Sequence, residues 1–136
     1  MNLFIPDQTV ATYFYANVLG LPRDPYIEWG PGNMWINAGK QQFHLPTGKP
    51  QILRGHVGVS VPKLSELEAR LRKTNSPLNK TRFDFTRHKH HISVICPWGN
   101  RLKCFEKGTI NDMELGIPYV CLLYTSPSPR DATLSR

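Results

Sequence analysis

Residues 54–62 read Arg54-Gly55-His56-Val57-Gly58-Val59-Ser60-Val61-Pro62. Three valines alternate with His56, Gly58 and Ser60. That period of two puts one set of side chains on each face of a strand. One face is apolar and must be buried; the other is small and polar. Pro62 has no backbone N–H and ends the run. Downstream, Leu64, Leu67 and Leu71 recur at helical spacing and predict a helix from about Leu64 to Lys73. Three extended runs follow: Thr81–Thr86, His90–Cys96 and Arg101–Glu106. Arg87–Lys89 turns the first pair, and Pro97-Trp98-Gly99-Asn100 turns the second.

The same order stands upstream. Asn2–Ile5 reads as a short strand stopped by Pro6, with Asp7 placed to cap a helix. Val10, Phe14 and Val18 recur every four residues, with Ala11 and Leu21 beside them, so Gln8–Leu19 reads as an amphipathic helix. Gly20 fits the position just past its end. Extended runs follow at Tyr26–Trp29, Met34–Asn37 and Gln41–Leu45, separated by Gly30-Pro31-Gly32 and by Gly39. Pro6 matches Pro62 and Gly39 matches Gly99, a repeat of about 58 residues, longer than a solenoid unit. The pattern predicts an α+β fold of two repeated βαβββ modules, residues 1–47 and 54–107. Their strands form a curled mixed sheet around a cleft, with the helices outside.

The chain has 136 residues, room for one ordinary domain, and a formal charge of +7. Its 40% apolar and 20% charged residues are a globular composition. No apolar run is long enough to span a membrane, and no secretory signal is visible, so the default expectation is a cytoplasmic protein. The basic residues are scattered rather than interleaved with aromatics, which argues against a nucleic-acid partner. Cys96, Cys104 and Cys121 are an odd set without CxxC spacing, so neither a disulfide framework nor a structural zinc site is expected.

The ends read differently from the middle. Cys121–Arg136, CLLYTSPSPRDATLSR, has no periodicity and resembles the translated read-through of a sequencing adapter; a disordered Pro/Ser tail is the alternative. Residues 121–136 are therefore set aside as a non-native or disordered tail. Residues 108–120 read as a linker and, from Leu115 to Val120, the truncated start of a following strand or domain. Met1-Asn2-Leu3-Phe4-Ile5 begins a strand without lead-in, so the N-terminus is expected to be short as well.

Three stretches resemble the vicinal oxygen chelate superfamily, which includes glyoxalases, extradiol dioxygenases, fosfomycin-resistance transferases and bleomycin-resistance proteins. They are Tyr13-Phe14-Tyr15-Ala16-Asn17-Val18-Leu19-Gly20-Leu21, the Arg54–Pro62 strand, and Cys96-Pro97-Trp98-Gly99-Asn100-Arg101-Leu102. The resemblance covers residues 1 to about 107. In the metal-using members it implies one divalent ion (Fe, Mn, Ni or Zn) held by up to four inward His, Glu or Gln side chains. That ion chelates neighbouring substrate oxygens as a Lewis acid. His56 falls on the fifth-strand ligand position and His44 near the fourth-strand one, with Gln42 on the same strand face as a substrate-binding candidate. The first-strand position precedes Met1. The eighth-strand position is Lys103, whose ammonium cannot ligate a metal but can clamp a carboxylate or phosphate. Glu106 has the opposite parity and should face away.

Two functions stay open. One is a metal-dependent lyase, isomerase or dioxygenase acting on a small oxygen-bearing substrate, with His44 and His56 as ligands. The other is a metal-free module of the bleomycin-resistance kind that sequesters a small molecule. No catalytic residue is assigned. The resemblance also implies pairing, as a homodimer or with a second such module. The run His88-Lys89-His90-His91 straddles a hairpin, where adjacent histidines point to opposite faces, so it is read as surface rather than as a metal site. Tyr13 and Tyr15 are read as packing residues, and Trp35 as core or cleft wall.

Overall fold

The computed structural model describes residues 1–24, 33–74, 78–110 and 113–123. The expected strand Tyr26–Trp29 and its Gly-Pro-Gly turn lie outside the described residues, as does the tail from residue 124. The first helix starts at Asp7, whose carboxylate accepts from the N–H groups of Thr9 and Val10. It is α-helical over α1 (Gln8–Thr12) and π-helical over Tyr13–Val18. In the wider second half the Leu19 N–H donates to Phe14 O, five residues back. That winding brings Phe14, Tyr15, Val18 and Leu19 together inside the core. The fourfold spacing thus located the helix, and Tyr15 joins its buried face through the change of pitch.

Module one is completed by β1 (Asn33–Ala38) and β2 (Gln41–Pro46), paired antiparallel around Gly39 at φ +65°. Asn2 and Ile5 bridge in parallel to His44 of β2 and to Thr47 just past it, so the expected first strand is reduced to two bridges. On the far side of β1, Arg23 bridges Ile36, and the Asp24 N–H donates to Trp35 O at 2.8 Å.

Module two has β3 (Gly55–Val61), α2 (Leu64–Arg72), β4 (Asp84–Arg87), β5 (His91–Ile95) and β6 (Arg101–Glu106). Their order in the sheet is β4-β5-β6-β3, with β3 and β6 parallel. The order of module one is the same: the Arg23 segment, β1, β2, then Asn2–Ile5. β4 begins later than the predicted Thr81, because Thr81 closes a turn onto Leu78 O through both its N–H and its hydroxyl. In the β5–β6 turn, Gly99 takes φ +109°, and buried Asn100 reaches out of the turn. Its amide donates to Gln51 O and accepts from the Leu53 N–H, both at 2.8 Å, tying the inter-module connection to module two.

Residues 116–122 span the end of the stretch read as the start of a following strand and the first two residues of the tail. They form β7 (Gly116–Leu122), which pairs antiparallel with β3 as the fifth strand of the same sheet. It is an edge of module two's sheet, and Cys121 and Leu122, read as tail, are part of it. The open side of β3 offers unpaired backbone groups, and a strand there satisfies them.

The buried side chains of both modules make one cluster. Phe14 of module one meets Phe83 of module two edge-on at 6.0 Å. Arg70 of α2 donates from Nε to Val18 O at 2.9 Å and from Nη2 to Leu19 O, satisfying carbonyls at the end of the first helix. Lys63 gives α2 no side-chain cap; instead the Leu64 N–H donates to Glu106 Oε1 at 2.9 Å. Glu106 therefore faces the helix side, as its parity predicts.

Candidate functional site

The helix-side face of module two's sheet is apolar: Val57, Val59, Val61, Ile92, Val94, Leu102 and Cys104 are all buried. The other face carries the polar set, and the strand register lays it out in rows. Opposite Gly58 stand Lys103 of β6 and Tyr119 of β7, and opposite Lys103 stands Ser93 of β5. A second row holds Ile95 opposite Arg101, and His56 opposite Cys121. A third holds His91 opposite Phe105, and Phe105 opposite Ser60.

His56, Ser93, Ile95, Arg101, Lys103 and Leu123 line a cavity of about 410 Å³. No acidic side chain is among its described lining residues. Burial, and then the Lys103 ammonium, lower the His56 pKa, so its imidazole is neutral at neutral pH. Burial also lowers that of His91, followed by the charges of His88, Lys103, Arg87 and His56. The His56 Nε2 and the Tyr119 hydroxyl are hydrogen-bonded at 2.9 Å, and the two rings meet edge-on at 5.3 Å.

Module one's corresponding face is closed by its own side chains. The His44 ring stacks on Trp35 at 4.0 Å with an interplanar angle of 7°, and its Nδ1 lies 3.2 Å from Asn2 Oδ1. Gln42 donates from Nε2 to Asp24 Oδ2 at 2.7 Å and to Asn37 Oδ1 at 2.9 Å. Gln42 and His44 thus share a face, as expected, and each is engaged locally. His56 and Lys103 share the cavity in module two.

The donor chemistry around His56 does not fit a divalent cation. Its cavity neighbours include one ammonium and one guanidinium, and its Nε2 already meets a phenol. Among the described residues no three His, Cys, Asp or Glu side chains gather as a metal group. Two of the three thiols are buried away from the cavity: burial holds Cys104 up to about 12 and raises Cys96 as well. The His88–His91 pair stacks at 4.4 Å across the hairpin.

Sequence reasoning missed Arg101, Ser93 and Tyr119. The first two share the parity of Lys103 through the β5–β6 register, a signal available once the hairpin was predicted. Tyr119 had no such signal, because its partner strand lies about sixty residues away. No helix among the described residues is long and apolar enough to cross a membrane.

No protein-family model matches the chain, and no curated protein matches it. Solved structures do. A putative dioxygenase from Bacillus subtilis matches at TM-score 0.57 and 18% identity, over 98% of this chain and 51% of that one. The chain thus spans about half the length of that protein. Lactoylglutathione lyase from Agrobacterium tumefaciens matches at TM-score 0.54 and 19% identity, covering 81% of this chain and 92% of that one. The genomically encoded fosfomycin resistance protein FosX from Listeria monocytogenes matches at 0.59 and 11%, covering 80% and 89%. Identities this low carry the architecture and leave the chemistry to the site. The mixed sheet, the repeated strand order and these neighbours together give the chain the glyoxalase/bleomycin-resistance/dioxygenase fold.

Proposed function

We propose that the chain is a small-molecule-binding module that holds a carboxylate- or phosphate-bearing ligand on the open face of module two, without a metal ion. The carrying observation is the cavity itself: Lys103, Arg101 and His56 share its lining, and no carboxylate stands among its described lining residues. A cationic concavity of this kind concentrates anions and rewards them with charge-assisted hydrogen bonds. Lys103 is the anion anchor, Arg101 the second cation, and Ser93 a neutral donor opposite Lys103. This is the sequestering reading. The metal-dependent reading would need His44 and His56 to act together with further ligands.

Pairing with a second copy, or with a second module of a longer chain, fits the same picture. Val120 and Leu122 of β7, an edge of the sheet, are 42% and 46% exposed, and Leu123 just past it is 66% exposed. An apolar edge strand favours a partner.

The test is a titration of the protein with acetate, benzoate and inorganic phosphate, followed by amide NMR shifts, alongside a metal assay. At least one anion should saturate, and Lys103→Ala should weaken it roughly 10-fold or more, the loss of one charged hydrogen bond. A divalent ion retained at full stoichiometry and lost in His56→Ala would overturn the proposal, as would the absence of anion binding.

A further inference from the structure

His56 and Lys103 line the cavity, and Gly58, which lies between Lys103 and Tyr119 in the sheet, does not. Gly58 is the centre of the row that carries Lys103 on one side and Tyr119 on the other. Neighbouring strands lie about 4.8 Å apart, so Lys103 and Tyr119 stand roughly 10 Å from each other across the glycine. The ground over Gly58 is filled by the Tyr119 ring. A Cβ at Gly58 would fall well inside contact distance of Tyr119 Cε2, Cδ2 and Cζ. The half-buried ring is held at two further points. Its hydroxyl meets His56 Nε2, and its ring centroid lies 6.3 Å from that of Phe105.

The strand that delivers this ring is itself anchored from module one. Gln41 donates from Nε2 to Ile117 O at 2.8 Å and accepts the Ile117 N–H at Oε1, two residues before Tyr119. A side-chain amide there imitates one rung of a β-ladder. At Gly39, φ is +65° and a Cβ would meet the backbone carbonyl of Leu115, so the β1–β2 turn and the start of β7 lie in direct contact.

We propose that Tyr119 is the size-determining residue of the anion site. Its ring forms the wall that stops a ligand anchored at Lys103 from extending over Gly58, and its hydroxyl fixes the His56 ring on the cavity side. The ligand class is therefore a compact anion, a short carboxylate or phosphate, rather than one with a bulky body behind its charge. This rests on the anion-binding reading and adds to it a residue from β7, a strand outside the repeated modules.

The experiment uses the full chain and three probes of rising bulk: acetate, benzoate and 1-naphthoate. Affinities are measured by NMR titration for the unmodified protein, Tyr119→Ala and Tyr119→Phe. The unmodified protein should bind acetate or benzoate and reject naphthoate. Tyr119→Ala should shift the naphthoate-to-acetate affinity ratio by 10-fold or more towards naphthoate. Tyr119→Phe, which keeps the wall and loses the bond to His56, should keep the size order. If Tyr119→Ala fails to fold, Gly58→Ala reads the same change, since it must push the ring off the sheet. An unchanged size order in Tyr119→Ala or Gly58→Ala, with anions still bound, overturns the inference alone. Failure of every form to bind any of the three carboxylates overturns this inference, and failure with inorganic phosphate as well overturns the anion-binding reading.

Discussion

β2 and β6 are the fourth strands of the two modules, and they treat their outward residues in opposite ways. Both send apolar side chains into the shared core, Phe43 and Leu45 from β2, Leu102 and Cys104 from β6. Outward, β2 presents Gln42 and His44, and these are consumed by Asp24, Asn37, Trp35 and Asn2. Outward, β6 presents Arg101 and Lys103, and these line an open cavity with His56. Duplication thus supplied two equivalent faces. One is closed by its own side chains and the other borders the cavity. Residue type alone does not mark which is which, since each has a histidine; the neighbours decide.

The sharpest way to break this comparison is through what the modules share. Phe14 is fully buried and touches Phe83 across the modules, so Phe14→Ala should cost about 3–5 kcal/mol. Because the core is single, both modules should melt in one transition. Two separate transitions in a calorimetric scan would show that the modules are energetically independent. A smaller effect compares the helix caps. Asp7 caps its own helix, whereas Glu106 caps α2 from a strand about forty residues away. Asp7→Ala and Glu106→Ala should each cost about 1 kcal/mol. Loss of stability from the first alone, in denaturant titration, would remove Glu106 from the account.

The smallest expected effect is a pH dependence of module two. Burial and the charges of His88, Lys103, Arg87 and His56 hold the folded His91 below the ordinary histidine value of 6.5. The unfolded chain then binds more protons than the folded one just below that pH. Stability from this source is full above 6.5 and declines as the pH falls through it towards the lower folded value. His91→Gln should flatten the pH dependence of the melting temperature between pH 7 and 5, and an unchanged slope would assign that dependence elsewhere.

The comparison also shows what a single sequence can carry. The alternation Val57, Val59, Val61 against His56, Gly58, Ser60 was legible because a strand with one buried face must show it. The turn glycines Gly39 and Gly99 were legible because both turns require positive φ. Lys103 and Glu106 were placed on opposite faces by parity alone, and the structure agrees: one lines the cavity and the other caps α2. Long-range pairing was not legible. The stretch before Val120 was read as the start of a strand, but its place beside β3, about sixty residues away, had no local signal. The closure of module one's face hid for the same reason. The Asp24, Asn37 and Asn2 side chains that occupy Gln42 and His44 are brought there by the fold, with no motif to announce them.

The most direct test of the central claim is where an anion binds. Amide shifts should be followed during titration with acetate or phosphate, for the unmodified chain, Lys103→Glu and Gln42→Ala. Binding should perturb His56, Ser93, Arg101 and Lys103, vanish in Lys103→Glu, and survive in Gln42→Ala. Perturbations centred on Gln42 and His44, or binding untouched by Lys103→Glu, would contradict the assignment of function to module two.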